Sequence, residues 1–168
     1  RAAFYAGSST VNQILLGGGE ALFTAIVRVP VLSDGTDTYV LRVGFGDSAT
    51  ADFVDGVYFE HRETTGDWYL KAASNSTRSE VQTTTAVSTA AWIRLDIVVN
   101  AAGTSVTGYI NGTEVVATAG TYPIVSNIPT GAGRVTGIIT SIIKSAGTTA
   151  RLAYVDAISS SIQFTTPR

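Results

Sequence analysis

WIRLDIVVNAAGTSVTGYINGTEVVA, residues 92–117, is the stretch that decides the fold class of this chain. Over 92–99, Ile93, Leu95, Ile97 and Val99 alternate with Trp92, Arg94, Asp96 and Val98, the period of two that marks a half-buried strand. Residues 100–103 supply a turn, and a second short strand at 105–110 runs into Asn111-Gly112. That dipeptide tolerates the positive backbone angles of a tight hairpin, so 113–117 is expected to return alongside. The reading is a three-stranded antiparallel meander.

Working outward, the same period recurs. At 21–30 Phe23, Ala25, Val27 and Val29 oppose Leu22, Thr24, Ile26 and Arg28; both faces are largely apolar, which predicts a central strand closed by Pro30. After the turn chemistry of Ser33-Asp34-Gly35, Tyr39, Leu41, Val43 and Phe45 point inward against Val40, Arg42 and Gly44. Residues 46–55 read as a polar loop. GVYFEHR (56–62) and DWYLKAA (67–73) form a hairpin across a four-residue connection, with Val57, Phe59, Trp68 and Leu70 toward the core and Tyr58, Glu60, Arg62, Tyr69 and Lys71 on the opposite face. The Thr-rich 75–88 holds an exposed strand at 80–86. Two short strands are expected before residue 20, a loop between Tyr122 and Pro129, a strand at 135–144 paired with one at 150–158, and a last strand at 161–165. No segment carries a sustained helical repeat. About a dozen short strands with turn signals between them predict an all-β, two-sheet antiparallel sandwich or jelly roll with essentially no helix, residues 1–168 forming one domain.

Composition narrows the function classes. Charged residues make up 14% of the 168, against roughly 25% in an average soluble domain. Mean hydropathy is +0.25. Weakly charged surfaces associate, so a homo-oligomer or other protein partner is expected. A net charge of −2 gives no footprint for nucleic acid or anionic lipid. No apolar run reaches the length of about 18 residues that a membrane span needs, and no charged-then-apolar leader opens the chain. With no Cys and one His, disulfides, Cys nucleophiles and the usual His-based zinc clusters are excluded. The chain has no Met and begins at Arg1, which reads as processing or as a segment of something longer.

DGVYFEHRETTGDWYLKA, the 92–117 stretch, IPTG and IIKSAGTTARLAYVDAI, in this order and preceded by LSDGTDTYVLRVGFGDS, resemble the concanavalin A-like (laminin-G-like) lectin/glucanase sandwiches of tailed-bacteriophage virion proteins. The resemblance spans roughly residues 16–158. It implies two antiparallel sheets, one convex and one concave, the concave face open to carbohydrate in members that bind it. It also implies a place on the virion surface, as a capsid decoration or fibre module. The same architecture serves lectins, hydrolases, lyases and inert decorations alike, so the site must decide.

Retaining glycosidases set two carboxylates about 5 Å apart, in this family as Glu-x-Asp-x-x-Glu, and no such spacing occurs; Glu60 and Glu63 fall on different faces. A lyase needs a Tyr or His base with cationic neutralisers, and His61 shares the core parity of Val57 and Phe59. The expectation is therefore a non-enzymatic virion surface protein, with no catalytic residue and no cofactor. Two alternatives stay open: a module binding host-surface polysaccharide, and a polysaccharide lyase. The candidate carbohydrate-binding residues are Arg42, Tyr58, Arg62, Tyr69, Arg94 and Tyr109, where aromatic rings can cover the apolar face of a sugar. Calcium is the one metal considered, through the loop residues Asp34, Asp37, Asp47, Asp52 and Asp55; none has a dense ligand spacing, and loop aspartates ordinarily make Asx turns.

Overall fold

A computed structural model describes residues 2–6, 14–63 and 66–165, the side chains of 2–6 excepted. Two antiparallel sheets face each other. The first has seven strands: β1 (Ala2–Ala6), β3 (Tyr39–Gly46), β4 (Gly56–His61), β5 (Asp67–Ser74), β6 (Thr77–Ala86), β10 (Ala117–Ala119) and β11 (Gly137–Lys144), in the order β1-β11-β3-β4-β5-β6-β10. The second has five: β2 (Gly19–Arg28), β7 (Ile93–Val99), β8 (Val106–Ile110), β9 (Thr113–Glu114) and β12 (Tyr154–Phe164), in the order β12-β2-β7-β8-β9. The described residues contain no helix.

The core lies between the sheets, where the alternation places it. Phe23, Leu41, Phe45, Phe59, Trp68 and Leu95 are fully buried, each large apolar side chain contributing about 1.5–3 kcal/mol by leaving water. The 92–117 meander forms as read: β7 pairs β8, β8 pairs β9, and Asn111 and Gly112 adopt φ of 53° and 79°. Its last residues leave the meander, because β10 crosses to β6 in the other sheet. The 56–73 hairpin is also present, with Phe59 opposite Leu70.

Three expectations are corrected. The strand at 80–86 begins at Thr77 and is interior, flanked by β5 and β10 with Val81 and Thr83 fully buried. Its hairpin with β5 turns on Asn75 and Ser76, both at positive φ, a geometry Asn and its neighbour adopt in two-residue loops. The strands at 150–158 and 161–165 are one strand, β12, and it does not pair with 135–144. β11 already has β3 on one edge and β1 on the other, so the chain crosses to β2. Lys144 and Arg151, at the two ends of that crossing, both bond Asp37, at 2.7 and 3.1 Å, and Arg151 also bonds Asp34. Finally, of the two early strands one is β1; the rest of that expectation falls partly on residues 7–13, outside the described residues.

Candidate functional site

The outer face of the seven-stranded sheet is built from two rows of side chains. Pairing registers align Ser141, Arg42, Glu60, Tyr69 and Gln82 in one row, and Ile139, Gly44, Tyr58, Lys71 and Glu80 in the next. Neighbours on one sheet face sit within reach of long side chains, and here opposite charges interleave. Glu60 is at the centre, accepting from Arg42 Nε at 3.0 Å and Lys71 Nζ at 2.9 Å. Lys71 also reaches Glu80 at 2.9 Å, and Glu80 takes both terminal nitrogens of Arg62. The Arg62 guanidinium lies 4.0 Å over the Tyr69 ring, a cation–π contact. Arg42 extends the chain of charges to Asp52 at 2.9 Å, and Asp52 to Arg78 at 2.8 Å.

Burial makes this network a strong one. Glu60, Lys71 and Arg42 are only 2%, 5% and 7% exposed, so their charges have lost water and depend on each other. Burial pushes the Lys71 ammonium down, but Glu60, Tyr58 and Glu80 around it together outweigh that and raise it. Glu80, although partly desolvated, is held below its ordinary value by Lys71 and Arg62. Four cations, Arg42, Arg62, Lys71 and Arg78, face three carboxylates, Asp52, Glu60 and Glu80.

The loop at 47–55, read as polar, folds its one aromatic residue over this face. Phe53 is fully buried, edge-on to Tyr58 with ring centroids 4.6 Å apart. It lies on a floor without side chains: a Cβ at Gly46 would stand 2.5 Å from the Phe53 ring, and one at Gly56 2.9 Å. Arg78 holds the loop down through the Phe53 carbonyl at 2.7 Å. Beneath it the Tyr58 hydroxyl is buried and has no hydrogen-bond partner, and burial raises its pKa against the pull of Lys71.

Beside the start of β6, before its pairing with β10, a cleft of about 390 Å³ is lined by Ser79, Glu80, Thr121, Ile124, Val125 and Ser126. Ser79 and Ser126 share a hydrogen bond of 2.7 Å, and Asn127 donates to Ser79 at 2.9 Å. Glu80 therefore belongs to both the charge network and the cleft. The cleft sets hydroxyls against aliphatic carbon, with the Glu80 carboxylate on its wall.

Of the six candidate residues the structure brings four together, Arg42, Tyr58, Arg62 and Tyr69, and separates two. Arg94 and Tyr109 lie on the outer face of the five-stranded sheet, where Arg94 bonds Asp96 at 2.9 Å and Tyr109 pairs across from Asp96. Strand parity shows which residues point outward but not from which sheet. Glu80, Asp52 and Arg78 were missed as members of the site, because their partners lie on strands distant in sequence. His61 has the inward placement its parity predicts, buried between the Tyr39 and Trp68 rings. The loop aspartates do not converge on a metal: Asp34 and Asp37 bond Arg151, Asp52 bonds Arg42 and Arg78, Asp55 bonds Arg134, and Asp47 accepts from backbone amides. No group of three metal-ligating side chains occurs among the described residues.

Two facing antiparallel sheets in this strand order define a concanavalin-type jelly-roll sandwich. Solved structures share it. A double-cysteine variant of alginate lyase A1-II′ superposes with a TM-score of 0.62 at 15% identity, covering 97% of this chain and 71% of the lyase. Alginate lyase PA1167 from Pseudomonas aeruginosa gives 0.60 at 9%, covering 97% and 74%. Toad ovary galectin, solved with thio-digalactose, gives 0.54 at 11%, covering 96% and 99%. More particularly, residues 1–156 match the family described as SO2946-like, C-terminal domain, and the chain belongs to that family. The comparison with curated proteins found no match. The alginate lyases among these structures overturn the expectation of a non-enzymatic protein, which rested on the resemblance, the low charge and the lack of a catalytic constellation.

Proposed function

We propose that this domain binds polysaccharide across the β6 side of the seven-stranded sheet, from Arg62 and Tyr69 over Glu80 into the cleft beside Ser79 and Ser126. The observation that carries this reading is the double membership of Glu80, which ties a rigid, charge-paired face to an open cleft of hydroxyls and aliphatic carbon. Glu80 accepts from sugar hydroxyls and Arg62 donates to them, and the exposed Val125 on the cleft wall covers apolar ring carbon. Calorimetric titration against alginate, polygalacturonate and neutral galactan oligosaccharides tests it. Arg62→Ala and Glu80→Gln should each weaken binding by about tenfold, the loss of one charge-assisted hydrogen bond. No heat of binding across the panel would remove the proposal.

A second reading, lyase chemistry, is favoured by the unpartnered Tyr58 hydroxyl beside Lys71. Elimination from a uronate needs a cation at the carboxylate and an acid/base at the α-carbon and leaving oxygen. Arg42 and Lys71 supply the first. With Phe53 lifted away, a Tyr58 phenolate takes the α-proton, the C–O bond to the leaving sugar breaks as the double bond forms, and the phenol returns the proton to the leaving oxygen. Because burial raises the Tyr58 pKa, activity should climb toward alkaline pH. The ultraviolet absorbance of unsaturated uronides reports it: Tyr58→Phe abolishes the signal, and a flat wild-type trace on acidic polysaccharides disposes of this reading.

A site on the outside of a tailed-phage particle rests on the sequence resemblance alone. Antibody labelling of virions whose genome encodes the chain tests it, and unlabelled particles would count against it.

A further inference from the structure

Sheet edges are where antiparallel proteins guard against pairing with other chains, by keeping edge strands short or by lining them with Lys, Pro or bulges. Three of the four edges among the described residues follow that rule: β1 has five residues, β10 three and β9 two. β12 does not. It is an eleven-residue edge strand, YVDAISSSIQF, bonded only to β2 among the described strands, with no Lys, Arg or Pro. Its one charge, Asp156, lies at the register shift near its start.

The strand is also self-complementary. Ile158 and Ile162 both face inward, opposite Ala25 and Ala21 of β2, and both remain only partly buried at the open side of the sandwich. They stand two residues either side of Ser160, which is exposed. We propose that β12 pairs antiparallel with β12 of a second copy of this chain about a two-fold axis at Ser160, joining the two five-stranded sheets into one. About that axis Ile158 meets the partner's Ile162 and the reverse, the reciprocal contact that an isologous interface requires. Asp156 falls opposite Phe164, four residues from the centre on each side, so no like charges meet. Each chain has one such edge, so the pairing closes at two.

Because the chain has no cysteine, one introduced thiol reports on a single position. Residues directly opposite in an antiparallel pair have Cα atoms roughly 4.5–5.5 Å apart, within disulfide reach. Sedimentation velocity of the 168-residue chain should show a dimer. Ser160→Cys should cross-link under mild oxidation far faster than Ala90→Cys in an exposed loop. Ser160→Lys, which sets two ammonium groups face to face, should raise the dimer Kd by at least about tenfold while leaving the far-ultraviolet spectrum unchanged. A wild-type monomer at high micromolar concentration, equal cross-linking of the two cysteine variants, or a dimer indifferent to Ser160→Lys would each overturn the proposal.

Discussion

Glu60→Ala should destabilise the protein by about 3 kcal/mol. Glu60 is the shared acceptor of Arg42 and Lys71, and all three are nearly inaccessible to water. Removing the carboxylate leaves two buried cations with half their compensation, Arg42 with Asp52 and Lys71 with Glu80. Those surviving pairs keep the loss toward the lower end for a broken buried pair, roughly 3–5 kcal/mol. The contrast is Arg62→Ala at the more accessible end of the same network, where the ion pair is partly solvated and the cost should stay near 1 kcal/mol or below. Urea unfolding followed by the fluorescence of buried Trp68 measures both. A Glu60→Ala shift no larger than that of Arg62→Ala would show that the central carboxylate is not what holds the face together. In a double-mutant cycle Glu60 and Lys71 should couple, so that losing both costs less than the separate losses added.

Acidification should cost the fold about 3 kcal/mol at a single residue, His61. The imidazole is fully buried between Tyr39 and Trp68, and its Nε2 accepts the Ser33 amide at 3.4 Å. Burial pushes its pKa down from 6.5 to about 4, with a hydrogen bond to the Asp67 backbone and then the Glu60 charge pulling the other way. The folded state thus holds the neutral ring where the unfolded chain would already be protonated. The contribution is complete above the unfolded pKa near 6.5 and is lost as pH falls toward 4. Asp37 titrates lower, held down to about 2 by the Lys144 ammonium. Unfolding free energies at pH 7 and 4.5 should therefore converge in His61→Gln, whose amide oxygen can still accept the Ser33 amide, and differ in the wild type. Parallel pH profiles for the two proteins would remove His61 from the account.

Both experiments concern features that the sequence shows only in part. That His61 points inward is legible from its parity with Val57 and Phe59. That its two walls are Tyr39 and Trp68 is not, since they come from the strands on either side. Tyr58, Glu60, Arg62, Tyr69 and Lys71 share a face because they share a hairpin, and local alternation is enough to place them together. The addition of Arg42 to that face needs β3 beside β4, and the addition of Glu80 needs β6 inside the sheet, although its Thr-rich composition reads as an exposed strand. Phe53 is lost on a sequence reading for a related reason: the adjacent pair Phe53-Val54 in a polar loop carries no period, and only the bare floor of Gly46 and Gly56 explains why Phe53 is the one that goes in.

The amino-acid sequence by itself determined that the chain is all-β, which residues face inward along each strand, and where Asn111-Gly112 turns it. These follow from a two-residue period and from backbone angles, both properties of neighbouring residues. The tertiary structure alone decided the assignment of strands to sheets, and with it the separation of Arg94 and Tyr109 from Arg42 and Tyr58. It also decided that Glu60 is buried between cations and that β12, among the described residues, has a long open edge. Strand partners are fixed by closing one sheet over another across the whole chain, and the burial of a charge depends on what that closure lays beside it.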